Sequence, residues 1–411
     1  MTSVVVLGTL DTKGLEIAFL ADRIRARGAS VVIVDGGVMG QAAVPVDVSA
    51  DAVAAAGGAD RAALAAAGDR SAAMAAMRAG AVTVVQDLYA AGRLDGIITI
   101  GGSGGAALAA AAMQALPVGV PKLIVSTMAA GDTRPYVGES DIAMLYPVVD
   151  IAGLNRLSRR VLANAAAAIA GMAEAAAGGG RADDAAQGSG RPLIGATMFG
   201  VTTPCVTAAR ERLESLGYEV LVFHATGTGG RALEGLVRSG YLAGVLDVTT
   251  TELADELVGG VLSAGPDRLT AAGATGTPQV VSLGALDMVN FGPRDTVPAE
   301  FRDRTLYEHN AAVTLMRTSI DECRRLGEIL AGKLNAATGP TSLFIPRGGV
   351  SMIDVPGAPF HDPAADAALF NALLGALEPH VEVVDRPEAI NDPAFGLRMA
   401  DRLHQLVAAR P

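Results

Sequence analysis

The sequence predicts an α/β fold of two Rossmann-like lobes, with parallel sheets of similar topology and a ligand cleft between the lobes. Short runs of β-branched residues alternate with helical runs rich in alanine and leucine, which is typical of βαβ units. The 411 residues suit two domains better than one core. The same alternation starts again after residue 192.

Composition predicts where the lobes meet. Residues 171–192 are rich in Gly, Ala, Ser and Asp, as linkers often are. We therefore expect an N-terminal lobe at 1–180, a linker at 181–192 and a C-terminal lobe at 193–411. The strand at 94–100 corresponds in order and pattern to the strand at 242–248, which indicates a common topology.

Charge and composition exclude several classes of partner. The net charge is −11 and only 4% of residues are aromatic, so we expect no nucleic-acid binding. The stretch Val161–Ala177 is mostly alanine and is expected to be too weakly apolar for a membrane span. Cys205 and Cys323 form no CxxC pair, and the chain starts directly in a strand. We expect a cytoplasmic protein.

A glycine-rich segment is the strongest candidate for ligand binding. It follows the strand at 97–100 and consists of Gly101, Gly102, Ser103, Gly104 and Gly105. A helix is predicted at 106–115, and its first amides offer free N–H groups and a positive dipole end. Because glycines let an anion approach the backbone closely, the pattern indicates a phosphate site. The alternative is a tight strand–helix connection.

A second glycine-rich loop is predicted in the C-terminal lobe. Its candidate ligand-binding residues are Thr226, Gly227, Thr228, Gly229, Gly230 and Arg231. The hydroxyls and the guanidinium could meet an oxyanion. Alternatively, Arg231 and Glu234 form a surface pair on the following helix, which would contribute little.

The turn after the first strand carries polar groups where a ligand is expected. The candidates are Gly8, Thr9, Asp11, Thr12 and Lys13. Lys13 could neutralise a phosphate, and Asp11 could hold Mg²⁺ or a ribose hydroxyl. Asp11 could equally cap the helix that follows.

Further polar residues lie at the predicted ends of other strands. In the N-terminal lobe these are Thr127, Met128, Gly131 and Asp132. In the C-terminal lobe, Asp247 and Glu252 are candidates for a general base or a metal ligand, although Glu252 could simply be a favourable first-turn acid. Arg347 with Gly348 and Gly349 forms another glycine pair with an arginine, and Asp362 is a predicted helix cap. The five histidines are dispersed, so no histidine-rich zinc site is expected, and the metal ligands stay undefined.

Long motifs resemble one known family across almost the whole chain. They are LGTLDTKG, GIITIGGSGG, STMAAGDTRPYVGESDI, GATMFGVTTPCV, FHATGTGGRALE, DVTTTELADELVGG, GALDMVNFGP and FIPRGGVSMIDVPG. These segments resemble the ToMV-resistance-protein-like ATP-binding family, which is common in bacteria. The resemblance implies two Rossmann-like halves, binding of ATP with Mg²⁺, and a homodimer.

The leading hypothesis is therefore an ATP-binding protein, either an ATP-dependent enzyme or an ATPase with a second small-molecule substrate. Two alternatives stay open at this point. One is an enzyme that acts on a small carboxylate or sugar phosphate without ATP. The other is a cytoplasmic ligand sensor without catalytic activity.

Overall fold

The computed structural model describes residues 2–42, 44–179 and 190–409. The chain forms two compact units, Met1–Gly190 and Arg191–Pro411. Most of the predicted linker, residues 181–189, lies outside the described residues. Residues 171–179 belong to a helix, so the change in composition precedes the end of the first unit's secondary structure.

The N-terminal unit is built on a parallel five-stranded sheet in the order β2-β1-β3-β4-β5. Its strands are β1 (Ser3–Gly8), β2 (Ser30–Asp35), β3 (Gly96–Gly101), β4 (Lys122–Ser126) and β5 (Ala143–Leu145). Its helices are α1 (Leu10–Arg25), α2 (Ala50–Ala56), α3 (Arg61–Ala67), α4 (Arg70–Ala90), α5 (Ser103–Gln114), α6 (Arg134–Val137) and α7 (Arg156–Gly179).

Alternate residues of this sheet pack against helices on opposite faces, as the two-residue repeat of a strand requires. Val4 and Val6 belong to a core with α1 and α7. Val5 and Leu7 belong to a second core with α2, α4 and α5. The helices that follow β1 and β3 therefore cover different faces, and the strand order reverses between these two neighbouring strands.

Helix α7 contains the stretch Val161–Ala177, which the sequence predicts to be too weakly apolar for a membrane span. The helix is longer than that stretch, and over Arg156–Gly178 its length and composition alone would allow a membrane crossing. However, Leu162, Ala166 and Ile169 are buried in the core shared with α1 and the sheet. Helix α7 thus packs with one side against α1 and the sheet as a core helix of the N-terminal unit.

The C-terminal unit has a parallel six-stranded sheet in the order β14-β13-β9-β8-β6-β7 and a three-stranded antiparallel sheet in the order β10-β12-β11. The strands are β6 (Leu193–Met198), β7 (Glu219–His224), β8 (Gly244–Thr249), β9 (Gln279–Gly284), β10 (Met288–Phe291), β11 (Leu306–Asn310), β12 (Val313–Arg317), β13 (Thr341–Pro346) and β14 (Glu382–Arg386). The helices are α8 (Thr203–Ser215), α9 (Thr228–Arg238), α10 (Glu252–Val258), α11 (Ala271–Thr275), α12 (Ile320–Asn335), α13 (Pro363–Ala376) and α14 (Pro393–Ala408).

The prediction of two parallel sheets with similar topology is confirmed. When the strands of each parallel sheet are counted from its own first strand, both sheets run 2-1-3-4-5, and the second adds a sixth strand. The antiparallel strands β10, β11 and β12 are inserted between the fourth and fifth parallel strands of the C-terminal unit.

Three helices begin earlier than the sequence predicts, because the helical patterns in the sequence start only at Leu15, Ala106 and Ala232. Helix α1 starts at Leu10, α5 at Ser103 and α9 at Thr228. The segments that the sequence predicts to be loops therefore contain the first helical turns. This matters for the site because the amides of a first turn have no acceptor within the helix.

Candidate functional site

A pocket of about 640 Å³ opens at the carboxyl ends of β1 and β3 in the N-terminal unit. We call it the switch-point pocket, because ligands of open α/β sheets bind where the strand order reverses. Its polar lining residues are Thr9, Asp11, Thr12, Lys13, Asp69, Arg70, Ser103 and Asp150. Its apolar lining residues include Val38, Met39, Leu64, Ala73 and Met74.

The glycines after β3 leave space that nothing in the described chain fills. A Cβ built on Gly102 would meet no heavy atom within 4 Å, and one on Gly104 would meet only Arg70 Nη2, at 3.9 Å. On Gly101 and Gly105 the contacts would be ordinary, at 3.7 and 3.9 Å. None of these glycines has a positive φ. Neither internal packing nor backbone conformation therefore requires glycine here.

The amides of this segment are those of a helix start. Gly102 is the N-cap of α5 and has no side chain to cap the helix. The N–H of Ala106 donates to the carbonyl of Gly102 at 3.0 Å, whereas the N–H groups of residues 103–105 have no acceptor within the helix. Gly101 to Gly105 all line the pocket, so the predicted anion-binding segment borders open space.

Asp11 also lines the pocket, and one of its carboxylate oxygens has no hydrogen-bond partner among the described residues. Its Oδ2 accepts from the amide of Met39 at 3.2 Å, while its Oδ1 is buried and has no hydrogen-bond partner among the described residues. Gly37 and Gly40 make room for this carboxylate, because a Cβ on either would lie about 3 Å or less from Asp11 atoms. The alternative role as helix cap is not seen, since α1 begins at Leu10 after Thr9.

Lys13, Thr9 and Thr12 line the pocket after β1, where the sequence predicts ligand-binding groups. Lys13 has a non-helical conformation that kinks α1, and its ammonium group donates to the carbonyl of Ile151. The hydroxyls of Thr9 and Thr12 are 2.9 Å apart. Gly8 is different: it does not line the pocket, and a Cβ there would lie 2.5 Å from Ile17 Cδ1. Gly8 therefore serves packing.

Asp69 and Arg70 also line the pocket, although the sequence pattern did not predict them as site residues. Asp69 caps α4 by accepting from the amides of Ser71 and Ala72 at 2.9 and 3.0 Å. This brings the guanidinium of Arg70 beside the glycine-rich segment. The sequence Gly-Asp-Arg at residues 68–70 is typical of a helix start and could have indicated the cap. The position of the Arg70 guanidinium beside Gly104 depends on how α4 packs on α5.

The residues after β4 do not line the pocket. Thr127 and Met128 belong to a short 3₁₀ helix. Asp132 forms an exposed pair with Arg134, whose guanidinium lowers the pKa of this carboxyl to about 2. Gly131 follows the 3₁₀ helix. These four predicted residues therefore follow a strand that pairs with β3 at Gly101, but they do not line the pocket.

The spacing of residues 101–105 also matches Gly-x-Ser-x-Gly between a strand and a helix, the pattern of a hydrolase nucleophile elbow. Ser103 lacks the positive φ of a strained elbow. The lining residues of the pocket include no histidine. The geometry thus favours Ser103 as a hydrogen-bond donor at a helix start.

In the C-terminal unit the second glycine-rich loop, which follows β7, is already filled by an internal carboxylate. Glu252 Oε1 accepts from the amides of Gly227 and Gly230 at 2.7 and 3.0 Å. A Cβ on Gly230 would lie 2.2 Å from Glu252 Oε2, and one on Gly229 would lie 1.9 Å from the carbonyl oxygen of His224. These glycines are needed for packing, unlike those after β3.

The remaining candidates in this loop contact the protein itself. The hydroxyl of Thr226 donates to the His224 carbonyl at 3.2 Å, and Arg231 donates to the Ser263 carbonyl at 3.2 Å. Thr228 is the first residue of α9. Glu234 is buried and accepts from the amides of Leu269 and Ala271, so it is not the surface partner of Arg231.

Asp247 and Glu252 hold a buried arginine. Arg268 donates to both oxygens of Asp247 at 2.6 Å and to Glu252 Oε2 at 2.6 Å. Burial alone would lower the pKa of Arg268, but these carboxylates raise it well above its ordinary value. Because both acids are fully engaged in this ion cluster, we leave them out of the proposed site.

Two family models together match most of the chain. The model described as "Uncharacterised protein family (UPF0261) N-terminal domain" matches residues 2–178, and the C-terminal domain model of the same family matches residues 191–407.

Relatives were found in bacteria and in a plant. A UPF0261 protein of Clostridium tetani is 51% identical over 401 residues, which are 97% of this chain and 98% of the relative. One from Mesorhizobium japonicum is 50% identical over 402 residues, with the same coverage of 97% and 98%. The ToMV resistance protein Tm-1(GCR237) of Solanum lycopersicum is 48% identical over 313 residues, which are 75% of this chain but 41% of the tomato protein.

Similar solved structures include two UDP-N-acetylglucosamine 2-epimerases. The putative enzyme from Listeria monocytogenes has 12% identity and a TM-score of 0.24, covering 68% of this chain and 78% of that one. The enzyme from Rickettsia bellii has 10% identity and a TM-score of 0.24, covering 100% of both. Scores this low carry no argument about function.

Proposed function

The chain belongs to the UPF0261 family, and we propose that its N-terminal unit binds ATP with Mg²⁺ in the switch-point pocket. In this proposal the phosphates dock on the amides of residues 103–105. Ser103 adds a hydroxyl donor, and Arg70 and Lys13 add positive charge.

One observation carries the proposal: the glycines after β3 keep space free that the protein itself does not use. Gly102 and Gly104 could each accept a Cβ without a clash. Glycines that neither packing nor a positive φ explains, and that border a pocket at a helix start, suit a ligand that approaches the backbone closely. The C-terminal loop supports this reading by contrast, because a carboxylate already occupies its amides.

The rest of the pocket suits a nucleotide better than a bare phosphate. Its volume of about 640 Å³ is typical of small-molecule sites. Val38, Met39 and Met74 supply an apolar wall on which a base could pack. Asp11 Oδ1 is a buried oxygen without a partner among the described residues, and carboxylate oxygens are suitable Mg²⁺ ligands.

The proposal is tested by calorimetric titration of the full chain with ATP, ADP, AMP and adenosine, each with and without Mg²⁺. We expect one site per chain, affinity that rises with the number of phosphates, and Mg²⁺-dependent tightening that Asp11→Asn reduces. Release of phosphate is measured in the same samples. The reaction, a second substrate and a homodimer stay predictions.

A double variant, Gly102→Val with Gly104→Val, places side chains over the amides and should abolish binding. Gly171→Val is the control, since a Cβ at Gly171 also meets nothing within 4 Å but lies on α7, away from the pocket. Binding of a sugar phosphate instead of ATP would favour the ATP-independent enzyme. No heat with ATP at millimolar concentration, or unchanged ATP affinity in the double variant, would reject the proposal.

A further inference from the structure

A second group of chemically active side chains lies in the C-terminal unit and is independent of the proposed nucleotide site. Asp354, His361 and Asp366 each bring one potential ligand atom to a common point, and these atoms all lie within 4.8 Å of one another. We call them the Asp–His–Asp cluster. Two ligands that share a divalent ion at about 2.1 Å lie no more than about 4.2 Å apart. A small inward adjustment of the side chains would therefore complete a metal site.

The two acids of the cluster are buried and held in place. Asp354 Oδ2 accepts from the amide of Val350 at 3.0 Å. Arg317 Nη2 donates to Asp366 Oδ1 at 2.6 Å and to Asp354 Oδ1 at 3.3 Å. His361 is the exposed member. Two buried, hydrogen-bonded carboxylates and one exposed imidazole thus converge from three positions along the chain.

Carboxyl groups outnumber guanidinium groups around the Asp–His–Asp cluster. Asp287 is fully buried and interacts electrostatically with Arg317 and Asp366. Its Oδ2 accepts from the hydroxyl of Ser351 at 2.8 Å, but its Oδ1 has no hydrogen-bond partner among the described residues. The carboxyl groups of Asp287, Asp354 and Asp366 all lie close to one guanidinium, that of Arg317. A divalent cation bound beside them would stabilise the charged forms of these buried groups.

The cluster also opens into a cavity. A space of about 270 Å³ is lined by Asp354, His361 and Asp366 together with Arg347 and the neighbouring glycines of the motif FIPRGGVSMIDVPG. The proposed nucleotide site does not use this motif. Three protein ligands next to open space are typical of metal sites that keep a coordination position for water or substrate.

We propose that Asp354, His361 and Asp366 bind a divalent transition-metal ion, whose open positions face the cavity. Two carboxylate oxygens and one imidazole nitrogen suit Mn²⁺ or Zn²⁺. Arg347, which also pairs with Asp385 at 2.7 Å, would favour a small anionic ligand in the cavity. The ligand class is therefore an oxygen donor, such as a carboxylate, that binds the metal directly.

The test uses the full chain after removal of metal with a chelator. Mn²⁺ and Zn²⁺ are each titrated by calorimetry, bound Mn²⁺ is followed by electron paramagnetic resonance, and thermal unfolding is measured with and without metal. We expect one ion per chain for at least one of the two metals and an increase in Tm on binding. His361→Ala should weaken binding at least tenfold and remove the increase in Tm.

The control is His380→Ala, which removes another partly exposed histidine of the same unit and should leave metal binding unchanged. His361 is exposed, so its replacement should not prevent folding, and the Tm without metal verifies this. If neither metal binds at millimolar concentration, or if His361→Ala binds as tightly as the unchanged protein, the proposed site does not exist.

Discussion

Arg268 and Asp247 form a buried two-bonded ion pair, in which each terminal guanidinium nitrogen lies 2.6 Å from one carboxylate oxygen. The same guanidinium donates through Nε to Glu252, whose other oxygen binds two loop amides. One arginine thus fixes the ends of β8 and the start of α9 at the point where the strand order of the C-terminal sheet reverses.

Replacing Arg268 with Met should strongly destabilise the C-terminal unit. The substitution leaves Asp247 and Glu252 buried without their counter-charge, and breaking a buried pair from one side costs about 3–5 kcal/mol. Urea unfolding measures the loss. Arg324→Ala removes an exposed ion pair and should leave the unfolding midpoint unchanged. Equal effects of the two variants would contradict the structural role given to Arg268.

Two glycine-to-alanine substitutions should have opposite consequences. Gly104→Ala meets no clash and removes backbone freedom within a helix, so stability should rise by up to about 1 kcal/mol, while ATP affinity falls at least tenfold. Gly230→Ala places a Cβ 2.2 Å from Glu252 Oε2 and should cost about 1–3 kcal/mol.

Thermal unfolding and ATP titration of both variants provide the measurements. Gly235→Ala is the matched control, because a Cβ there meets nothing within 4 Å. A Gly104→Ala variant that binds ATP normally would show that the amides after β3 do not contact the ligand.

Arg70→Ala should weaken the binding of phosphate-bearing ligands more than the binding of adenosine. A charge-assisted bond to a phosphate typically contributes about 1.5–3 kcal/mol, or roughly tenfold or more in affinity. The loss should be large for ATP, small for adenosine, and reduced by added salt. Arg78→Ala, a change on the same helix outside the pocket lining, should have no effect. Equal losses for ATP and adenosine would assign Arg70 a purely structural role.

The free energy of unfolding should depend on pH in part because of Asp255. Burial raises the pKa of this carboxyl from 3.8 to about 7. The folded state therefore holds a proton that the unfolded chain releases near pH 4. Between these two pKa values the free energy of unfolding should fall as pH rises, by at most about 1.4 kcal/mol per pH unit, with no further loss above pH 7.

Asp255→Asn removes this titration, so its stability should depend less on pH between 4 and 7. Urea unfolding at intervals across pH 4–8 makes the comparison, and Asp321→Asn serves as an exposed control. Parallel curves for the unchanged protein and Asp255→Asn would show that Asp255 titrates alike in both states.

The alternation of strand and helix, the repeated topology and the family were predictable from sequence. So was the N-cap Asp362, whose carboxylate accepts from the amides of Ala364 and Ala365. These features follow from local pattern and long motifs. The family models and relatives confirm membership of UPF0261, whereas ATP binding stays a proposal.

The difference between the two glycine-rich loops was not predictable. Both follow a strand, precede a helix and contain several glycines, so local physics treats them alike. What separates them is Glu252, whose carboxylate enters one loop from a position 22 residues beyond Gly230. Arg70 was missed for a related reason, since only the packing of α4 brings it to Gly104. Contacts across such separations depend on tertiary structure.

The internal carboxylate of Glu252 has a consequence for how the halves of the chain should respond to solution conditions. At its glycine-rich loop the C-terminal half carries its own anion, the carboxylate of Glu252. The N-terminal half leaves its helix start unneutralised, so any bound polyanion adds to its folding free energy in proportion to the logarithm of concentration. Thermal unfolding should therefore show that the melting temperature of the N-terminal half rises with the concentration of a polyphosphate ligand.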